Sequence, residues 1–366
     1  MRGPGGPPNL WTGGEWVTAV DFLWAIPVFG LLVFIHELGH FAVAKYFDIR
    51  VHEFAIGFGP MLAGFQRGET RYNLRLIPLG GFVRMAGMED GDQEEPRGFA
   101  KKSVGARAAV IAAGPIMNFV LAALLYSAFL FLVGQEQVQV PRIGDVPATC
   151  QAVVGGQSVA RLCPAYAAGL RPGDLVKSIN GAPVGDWQDI LTTVTASDGK
   201  PQTFVVQRGS ETREFHLQPV RSPDNRWLVG IAVEIRREPL GRALVQGPVL
   251  TAKTLGAMVV GLADMVTGRV KPQLAGPVGI TRTIAEQAAR GWDNLLLLTA
   301  FLSINLGLFN LLPIPALDGS RLVFMGVELV RGRQLDPQRE NMVHFVGFLI
   351  LVGLMLFITY GEVIRH

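Results

Sequence analysis

Charged residues are scarce in this chain. They make up 17% of its 366 residues, whereas soluble proteins average about 25%. The mean hydropathy is +0.32, and 49% of the residues are hydrophobic. This composition excludes an ordinary soluble globular protein and a disordered one. It indicates a membrane protein that carries one modest soluble insert.

Cysteines are few, and an excess of basic residues is missing. The two cysteines, Cys150 and Cys163, are too few for a disulfide scaffold, and their spacing does not match a metal site. The 33 basic residues are balanced by 30 acidic ones, and no basic run has interleaved aromatics. These absences exclude nucleic acid as an expected partner. The pI near 9.0 fits lysines and arginines that keep loops in the cytoplasm.

Long apolar runs, by contrast, are present. Four are long enough, or nearly so, to cross a bilayer as helices of about 20 residues, and they cover residues 20–44, 104–133, 295–313 and 343–364. The first is too long for a cleaved signal peptide. A fifth run, 245–266, is interrupted by Lys253 and Asp264, which favours an amphipathic helix at the membrane interface. We therefore expect a polytopic α-helical membrane protein with about four transmembrane helices and the lipid bilayer as a partner.

The distribution of basic residues predicts the orientation. Ten lysines and arginines lie between residues 45 and 107, and only Arg2 precedes the first span. Because basic loops stay in the cytoplasm, the first loop is expected inside and the long insert after the second span outside. The expected division is a tail with the first span (1–44), a cytoplasmic membrane-associated β region (45–103), a second span (104–133), an extracytoplasmic domain (134–238), an interfacial linker (239–294) and the last two spans (295–366).

Two segments between the spans predict β structure. In the first loop, residues 51–56 and 71–78 are typical of short strands, with glycine-rich turns expected at 57–60 and 79–82. In the outer insert, residues 167–176 predict a short helix, a Gly/Pro/Asp turn and a strand, and Asn180-Gly181 predicts a further turn. The outer insert is therefore expected to be a small α+β domain.

The sequence His36-Glu37-Leu38-Gly39-His40 in the first span carries the strongest chemical prediction. On a helix, residues four apart share a face, so both imidazoles can reach one metal ion, and Glu37 lies close enough to take a proton from a water molecule there. Two histidines and a glutamate are costly to bury inside an apolar span, which indicates a function rather than a structural role.

A catalytic zinc ion takes three protein ligands and keeps one position open. The other histidines and both cysteines lie outside the span interiors, so the third ligand is expected among the carboxylates near apolar segments: Asp21, Asp264, Asp318, Glu328 and Glu362. Asp318 follows the third span on the inner side, at the depth of the two histidines. Its predicted depth makes it the preferred candidate.

The segment before Asp318 supports that choice. Pro313 and Pro315 break the third helix near the expected metal, and broken backbone at membrane depth is tolerated where it lines a cavity. Asn305 and Asn310 are amides in the same span. They are candidates to hold a substrate backbone or a developing oxyanion, with Asn310 the catalytic candidate. The alternative role for each is a hydrogen bond between helices.

These features resemble the site-2 protease family of intramembrane zinc metalloproteases, in particular its bacterial RseP-type branch. The resemblance rests on His36–His40, on Asn310–Gly319, on the Ala-Gly-Leu-Arg-Pro-Gly-Asp segment of the outer insert, and on Gly114–Asn118 in the second span. It implies that His36, His40 and Asp318 bind zinc and that Glu37 is the general base.

The resemblance also implies an architecture and a substrate class. The outer insert is then a PDZ domain, and the first loop is a β-hairpin sheet whose edge pairs with an unwound substrate. The substrate-binding residues expected on this basis are Gly57, Gly59 and Asn118. Asn305, an amide of the third span, is a further candidate. The expected substrates are single-span membrane proteins, such as anti-sigma factors or signal-peptide remnants, in a bacterial inner (plasma) membrane with the active site near the cytoplasm.

The chain departs from the family pattern at three places. The insert has room for one PDZ domain, Ser320 stands where another glycine is common, and residues 147–162 extend the start of the domain. Cys150 and Cys163 bracket the extension on the outer side, which permits a disulfide. A membrane-embedded PDZ adaptor with a structural metal site is the alternative function, although structural zinc usually takes four ligands. A metal transporter would show an internal repeat, and this sequence has none.

Overall fold

The computed structural model describes residues 21–88, 95–270, 276–333 and 337–364. The chain divides into two compact units, of which one contains Leu130–Pro239 and the other contains the segments before and after it. The helices in the described ranges are α1 (Ala25–Tyr46), α2 (Val104–Leu132), α3 (Pro164–Ala168), α4 (Trp187–Thr195), α5 (Leu240–Val266), α6 (Pro277–Arg290), α7 (Trp292–Leu311), α8 (Asp318–Arg331) and α9 (Pro337–Ile364).

The strands fall into a long hairpin and a group of short strands. The hairpin consists of β1 (Val51–Arg67) and β2 (Thr70–Met85). The short strands, all in the unit that contains Leu130–Pro239, are β3 (Gln135–Glu136), β4 (Ile143–Asp145), β5 (Thr149–Val154), β6 (Gln157–Leu162), β7 (Leu175–Ile179), β8 (Ala182–Pro183), β9 (Gln202–Arg208), β10 (Glu211–Leu217), β11 (Val220–Arg221), β12 (Trp227–Leu228), β13 (Ala232–Val233) and β14 (Ile235–Arg236).

Five helices in the described ranges are long and apolar enough to cross a membrane: α1, α2, α5, α7 and residues Glu340–Glu362 of α9. Four of them correspond to the predicted spans, and α5 is a fifth candidate. Ala243, Gly247 and Thr251 form the buried stripe of α5. A Cβ on Gly247 would lie 2.9 Å from the backbone N of Ser127 in α2. Small residues four apart allow such close approach between helices in lipid.

Glycines also bring α1, α2 and α7 together. A Cβ on Gly39 of α1 would lie 2.7 Å from the carbonyl carbon of Ala113 in α2. On α7, a Cβ on Gly307 would lie 2.9 Å from the carbonyl oxygen of Pro115. Any larger residue at either position would push the helices apart, because real Cβ contacts are not this short. The histidine-bearing helix and the helix that precedes Asp318 therefore both pack directly on α2.

The first-loop hairpin is longer than the sequence predicts. The glycine-rich segments 57–60 and 79–82, which were expected to be turns, lie within the strands, and the turn is at Gly68 and Glu69. Positive φ angles at Gly57, Gly59 and Gly80 accompany irregularities in the register. Such bulges bend a strand without ending it. The expectation of two short strands with turns at those glycines was wrong for this reason.

The bend gives the hairpin a double register. Residues 53–56 of β1 are registered with residues 84–81 of β2 and also with residues 71–74. The buried carboxylate of Glu53 in β1 stabilises the bent hairpin by accepting hydrogen bonds from two residues of β2. Asn73 Nδ2 donates at 2.7 Å and Arg75 donates at 2.6 Å. Burial of the carboxylate raises the pKa of Glu53, but these bonds outweigh burial and hold the pKa below 4.5.

The unit that contains Leu130–Pro239 is a small α+β domain, as expected. Its main sheet has the strand order β10-β9-β7-β8, and its core includes the fully buried side chains of Phe204, Ile179 and Ile190. Helix α4 begins with a capping box between Asp186 and Asp189, an arrangement that satisfies backbone N–H groups at the helix start.

The extension at the start of this domain is a separate hairpin. Strands β5 and β6 pair over their whole length, and a Cys150–Cys163 disulfide closes the segment. The disulfide packs beside Gly230, whose φ is +81°. A Cβ on Gly230 would lie 2.8 Å from both sulfur atoms. The disulfide that the sequence permits is therefore present.

One ion pair is buried at the edge of this core. The side chain of Asp174 is 1% exposed and accepts two hydrogen bonds of 2.7 Å from Arg208. Burial raises the pKa of Asp174, but hydrogen bonds from Arg208 and from the backbone N–H of Arg171 outweigh burial and hold the pKa below its ordinary 3.8. Its ionised form is therefore the one that stabilises the fold.

We predict that Asp174→Asn lowers the thermal stability of this domain at neutral pH. A carboxyl whose pKa is depressed by folding contributes stability above its unfolded pKa of about 3.9, and this contribution is lost as pH falls through the folded value. The variant should therefore lose stability at pH 7 and approach the parent below about pH 4. Unfolding of the purified chain followed by tryptophan fluorescence measures both effects.

The matched control is Glu211→Gln, which removes an exposed ion pair with Arg213. Exposed pairs contribute little, so this variant should follow the parent at every pH. Equal melting temperatures for Asp174→Asn and the parent at pH 7 would contradict a stabilising role of the pair.

Candidate metal centre

The two histidines of α1 lie one helical turn apart and face the same point. His36 is 8% exposed and His40 is 6% exposed. Their Nε2 atoms are 3.2 Å apart. Both rings are therefore buried with one nitrogen each directed at a common position.

The carboxylate of Asp318 lies at that position. Its Oδ2 atom is 3.1 Å from His36 Nε2 and 3.3 Å from His40 Nε2. The three residues form a group whose donor atoms all lie within 4.8 Å of one another. The structure thus brings together the three residues that the sequence predicts as metal ligands.

The break between α7 and α8 delivers Asp318 to the histidines. Helix α7 ends at Leu311 and α8 begins with Asp318 itself. Between them, Leu317 N–H donates to Ile314 C=O at 3.1 Å, with Pro315 and Ala316 at the two central positions. Pro followed by a residue with positive φ is typical of a type II turn, and Ala316 has a φ of +77°.

The other carboxylates considered from the sequence have different partners. Glu328 pairs with Arg107, Asp264 pairs with Arg269 at 3.2 Å, and Glu362 accepts a hydrogen bond from the backbone of Gly276 at 2.7 Å. The side chain of Asp21 lies outside the described residues. Asp318 is therefore the described carboxylate that reaches both histidines.

Each histidine is oriented through its other nitrogen. His40 Nδ1 donates to the carbonyl of Val110 at 2.8 Å, so the neutral ring presents a lone pair at Nε2. His36 Nδ1 lies 3.0 Å from the amide of Asn118. Asn118 is 0% exposed, and its Oδ1 atom has no hydrogen-bond partner among the described residues.

Rotation of the Asn118 amide by 180° would satisfy this orphaned oxygen. Oδ1 would then accept the proton of His36 Nδ1, and His36 would also present a lone pair at Nε2. Two lone pairs and a carboxylate would converge on one point, and such a set repels itself unless a cation lies between its members. Metal-bound histidines usually donate a hydrogen bond from the ring nitrogen that does not bind the metal, as both histidines would here.

The chemistry of the donor set fits zinc. Two imidazole nitrogens and one carboxylate oxygen are the ligands of many catalytic zinc sites, which leave a fourth position open. Gly114 of α2 faces the rings, and a Cβ there would lie 2.9 Å from His36 Cε1 and would also strike His40 Nε2. The absence of a side chain at Gly114 therefore lets the backbone of α2 pack directly against both rings.

Glu37 lies beside the ligands and under the hairpin. It is half-buried, and a Cβ on Gly81 of β2 would lie 3.2 Å from Glu37 Cγ. The same Cβ would lie 2.8 Å from the carbonyl oxygen of Ala55 in β1. The hairpin thus passes directly over the acidic residue of the predicted catalytic motif.

The two predicted site asparagines of α7, Asn305 and Asn310, form hydrogen bonds to the backbone of their own helix. Asn305 Nδ2 donates to Phe301 C=O at 3.2 Å, and Asn310 Nδ2 donates to Leu306 C=O at 2.9 Å. Both bonds lie within α7, rather than between helices. The catalytic role of Asn310 and the substrate contact of Asn305 stay predictions.

Gly57 and Gly59 lie at the bulged part of β1. Gly57 has no room for a side chain, because a Cβ would lie 2.6 Å from the carbonyl oxygen of Ile77. The carbonyl of Gly59 accepts a hydrogen bond from Arg75 at 2.9 Å. Both glycines therefore have clear local roles in bending the hairpin, and their contact with substrate stays a prediction.

Sequence reasoning missed the contact between Asn118 and His36. Asn118 was expected to bind substrate, whereas its complete burial and its position beside His36 favour a role in orienting the ring. Its spacing of four from Gly114 places both residues on one face of α2. That shared face was visible in the sequence, but the rotation of α2 toward the histidines was not.

Comparison with known proteins finds similarity to a peptidase family and to zinc metalloproteases. Residues 24–354 match the family described as Peptidase family M50. The chain is 34% identical to the zinc metalloprotease RasP of Geobacillus kaustophilus, over 92% of this chain and 96% of that protein. It is 32% identical to the regulator of sigma-W protease RasP of Bacillus subtilis, over 93% of this chain and 97% of that protein.

A solved structure aligns with part of the chain. The PDZ domain of an SdrC-like protein from Listeria monocytogenes covers 28% of this chain and 90% of its own length, with 17% identity and a TM-score of 0.19. At that TM-score, the alignment supports no statement about the fold or function of this chain.

We predict that Asn118→Ala weakens metal binding about 10–100-fold, which is the usual effect of removing a partner of a metal-bound histidine. Asn118→Asp keeps an acceptor for His36 Nδ1 and should retain the metal. Zinc content after dialysis against a competing chelator measures the difference. Parental zinc affinity in Asn118→Ala would show that Asn118 does not orient His36.

Proposed function

The chain belongs to peptidase family M50, and on this premise we propose the chemistry of its active site: His36, His40 and Asp318 hold a zinc ion, and Glu37 is the general base. The protein is an intramembrane zinc metalloprotease that cleaves membrane-spanning segments, and it is a multi-pass membrane protein. The observation that carries the site assignment is the convergence of His36 Nε2, His40 Nε2 and Asp318 Oδ2 within 3.3 Å.

The number of ligands favours catalysis over a structural metal site. The ligand group contains three residues in the part of the chain that the structure describes, whereas structural zinc sites usually take four. Glu37 adjoins one of the ligands in sequence. A PDZ adaptor with a structural metal, the alternative function, would not need an acid–base residue there.

In the proposed mechanism, Glu37 transfers the proton. A bound zinc ion would supply a Lewis acid for the scissile carbonyl. Glu37 would accept the proton of the attacking water and return it to the leaving nitrogen. Gly114 lets the backbone of α2 pack against the two imidazoles, and the Asn118 amide holds His36 in the orientation that zinc binding requires.

The hairpin offers a way to hold an unwound substrate. Residues 81–84 of β2 pair with β1 on one side, and no described strand pairs with their other side. Gly81 lies next to Glu37. A substrate helix must unwind before its peptide bonds are accessible, and an extended chain can add to a free strand edge. We therefore assign substrate pairing to this part of the hairpin, with Gly57 and Gly59 shaping its bend.

The apolar surface of the hairpin supports its association with lipid. Met61, Leu62, Phe65 and Leu76 are each more than half exposed. A cluster of exposed apolar side chains of this kind is typical of a membrane or partner surface. The basic residues of the same loop favour the cytoplasmic side, so the active site is assigned to that side of a bacterial plasma membrane.

The outer unit and the partners follow from this orientation. We assign the unit that contains Leu130–Pro239 as an extracytoplasmic PDZ domain, supported by its four-stranded sheet and its two helices α3 and α4. The relative in Bacillus subtilis is named a regulator of sigma-W protease. Single-span anti-sigma factors are therefore the first substrate class to test, with signal-peptide remnants as the second.

We predict that Glu37→Gln abolishes cleavage of a single-span reporter whose outer domain has been trimmed, while zinc stays bound. Loss of a general base typically slows a reaction about 10²–10⁴-fold, and Glu37 is not one of the three ligands. Cleavage in detergent and zinc content are measured on the same samples. Glu211→Gln, in the outer unit, is the matched control and should cleave like the parent.

Two outcomes would contradict the proposal. Parental cleavage by Glu37→Gln would exclude Glu37 as the base. The adaptor function would be favoured if the zinc-loaded parent cleaved reporters of neither substrate class and Glu37→Gln bound zinc as tightly as the parent.

A further inference from the structure

The turn that precedes Asp318 contains an alanine in an unfavourable conformation. Ala316 has a φ of +77°, a region that glycine adopts freely and other L-residues avoid. Ala316 is two residues before Asp318, so any relaxation of its φ would move the start of α8. The position of the carboxylate therefore depends on whatever holds this turn.

Helix α9 holds the turn from one face. His344 Nδ1 accepts a hydrogen bond from the backbone N–H of Ala316 at 3.2 Å. One turn further along α9, Gly347 packs against Pro315, and a Cβ on Gly347 would lie 2.8 Å from the Pro315 carbonyl carbon. Residues three apart share a helix face, so both contacts come from the same side of α9.

The imidazole of His344 is itself held in place. Its side chain is 13% exposed, and its ring meets the ring of Phe324 in α8 edge-on, with centroids 5.8 Å apart. The N–H of the second central residue of a type II turn makes no hydrogen bond within the turn. His344 therefore satisfies a backbone donor that the turn leaves free.

We propose that His344 is a positioning residue for the metal site: by binding Ala316 N–H, it holds the strained turn that places Asp318 against His36 and His40. The inference rests on the assignment of Asp318 as a metal ligand. His344 is not assigned as a ligand, because the metal-binding group among the described residues consists of His36, His40 and Asp318. Helix α9 thus contributes to the metal site without supplying a ligand.

The experiment compares four substitutions in the full-length protein purified in detergent. His344→Leu removes the acceptor. His344→Asn restores it, because the amide oxygen occupies about the place of Nδ1, whereas His344→Gln carries its oxygen one bond further out. Ala316→Gly relieves the strain and is tested alone and with His344→Leu. The readouts are zinc affinity by chelator competition and the visible absorption of the cobalt-substituted protein, which reports ligand geometry.

We expect His344→Leu and His344→Gln to bind zinc about 10-fold more weakly, at the lower end of the 10–100-fold range for residues that orient ligands. Both should also alter the cobalt spectrum. His344→Asn should behave as the parent, and Ala316→Gly should recover most of the affinity lost in His344→Leu. Rescue by a substitution at the turn is not expected of a general packing defect.

Asp318→Asn, measured in parallel, distinguishes the assignment of Asp318 as a ligand from the positioning role of His344. If it binds zinc as the parent does, the ligand assignment itself is wrong. If it loses zinc while His344→Leu keeps parental affinity and spectrum, the positioning role alone is wrong. Loss of zinc in His344→Leu without recovery by Ala316→Gly would also overturn the positioning role. If His344→Leu does not fold, equal behaviour of the Asn and Gln variants would overturn it in the same way.

Discussion

Two imidazole nitrogens and a carboxylate must meet inside an apolar helical bundle, and most of the surrounding structure serves this requirement. Polar groups at membrane depth need partners, because lipid offers none. His40 finds one in the Val110 carbonyl, and His36 finds one in Asn118. With the Asn118 amide rotated, the lone pairs of both Nε2 atoms and the carboxylate of Asp318 would be directed at one point. A metal ion is the simplest way to satisfy them.

The packing of the bundle follows from the same requirement. Little hydrophobic force holds helices together in lipid, so close contact depends on small residues. Gly39 lets α1 approach α2, and Gly307 lets α7 approach α2 from another side. Gly319, in the first turn of α8, packs against the end of α7, where a Cβ would lie 2.5 Å from the Leu311 carbonyl carbon. Gly114 lets the backbone of α2 pack against the imidazoles, where a Cβ would lie 2.9 Å from His36 Cε1.

Much of this site could be predicted from the sequence because it depends on local rules. The spacing of His36 and His40 fixes a shared helix face, and the depth of Asp318 along its apolar run places it near them. Both arguments need only helix periodicity and the thickness of a bilayer. The α+β unit that contains Leu130–Pro239 and the pairing of Cys150 with Cys163 could be predicted for similar reasons.

The parts that sequence reasoning missed depend on contacts between distant segments. Nothing local to residues 53–56 indicates that they are registered with two parts of β2, because such a bend is decided by bulges and by the buried carboxylate of Glu53. The contact between Asn118 and His36 depends on how α2 is rotated. The strain at Ala316 is visible only once His344, far along the chain, is seen to hold it.

X-ray absorption at the zinc edge of the purified protein tests the central claim most directly. The account predicts one zinc ion per chain, two imidazoles and further oxygen ligands at about 2.0–2.1 Å, with no sulfur in the shell. Loss of one imidazole in His40→Ala should be visible in the same spectrum. A sulfur contribution at about 2.3 Å, or a spectrum that His40→Ala leaves unchanged, would place the zinc elsewhere and contradict the account.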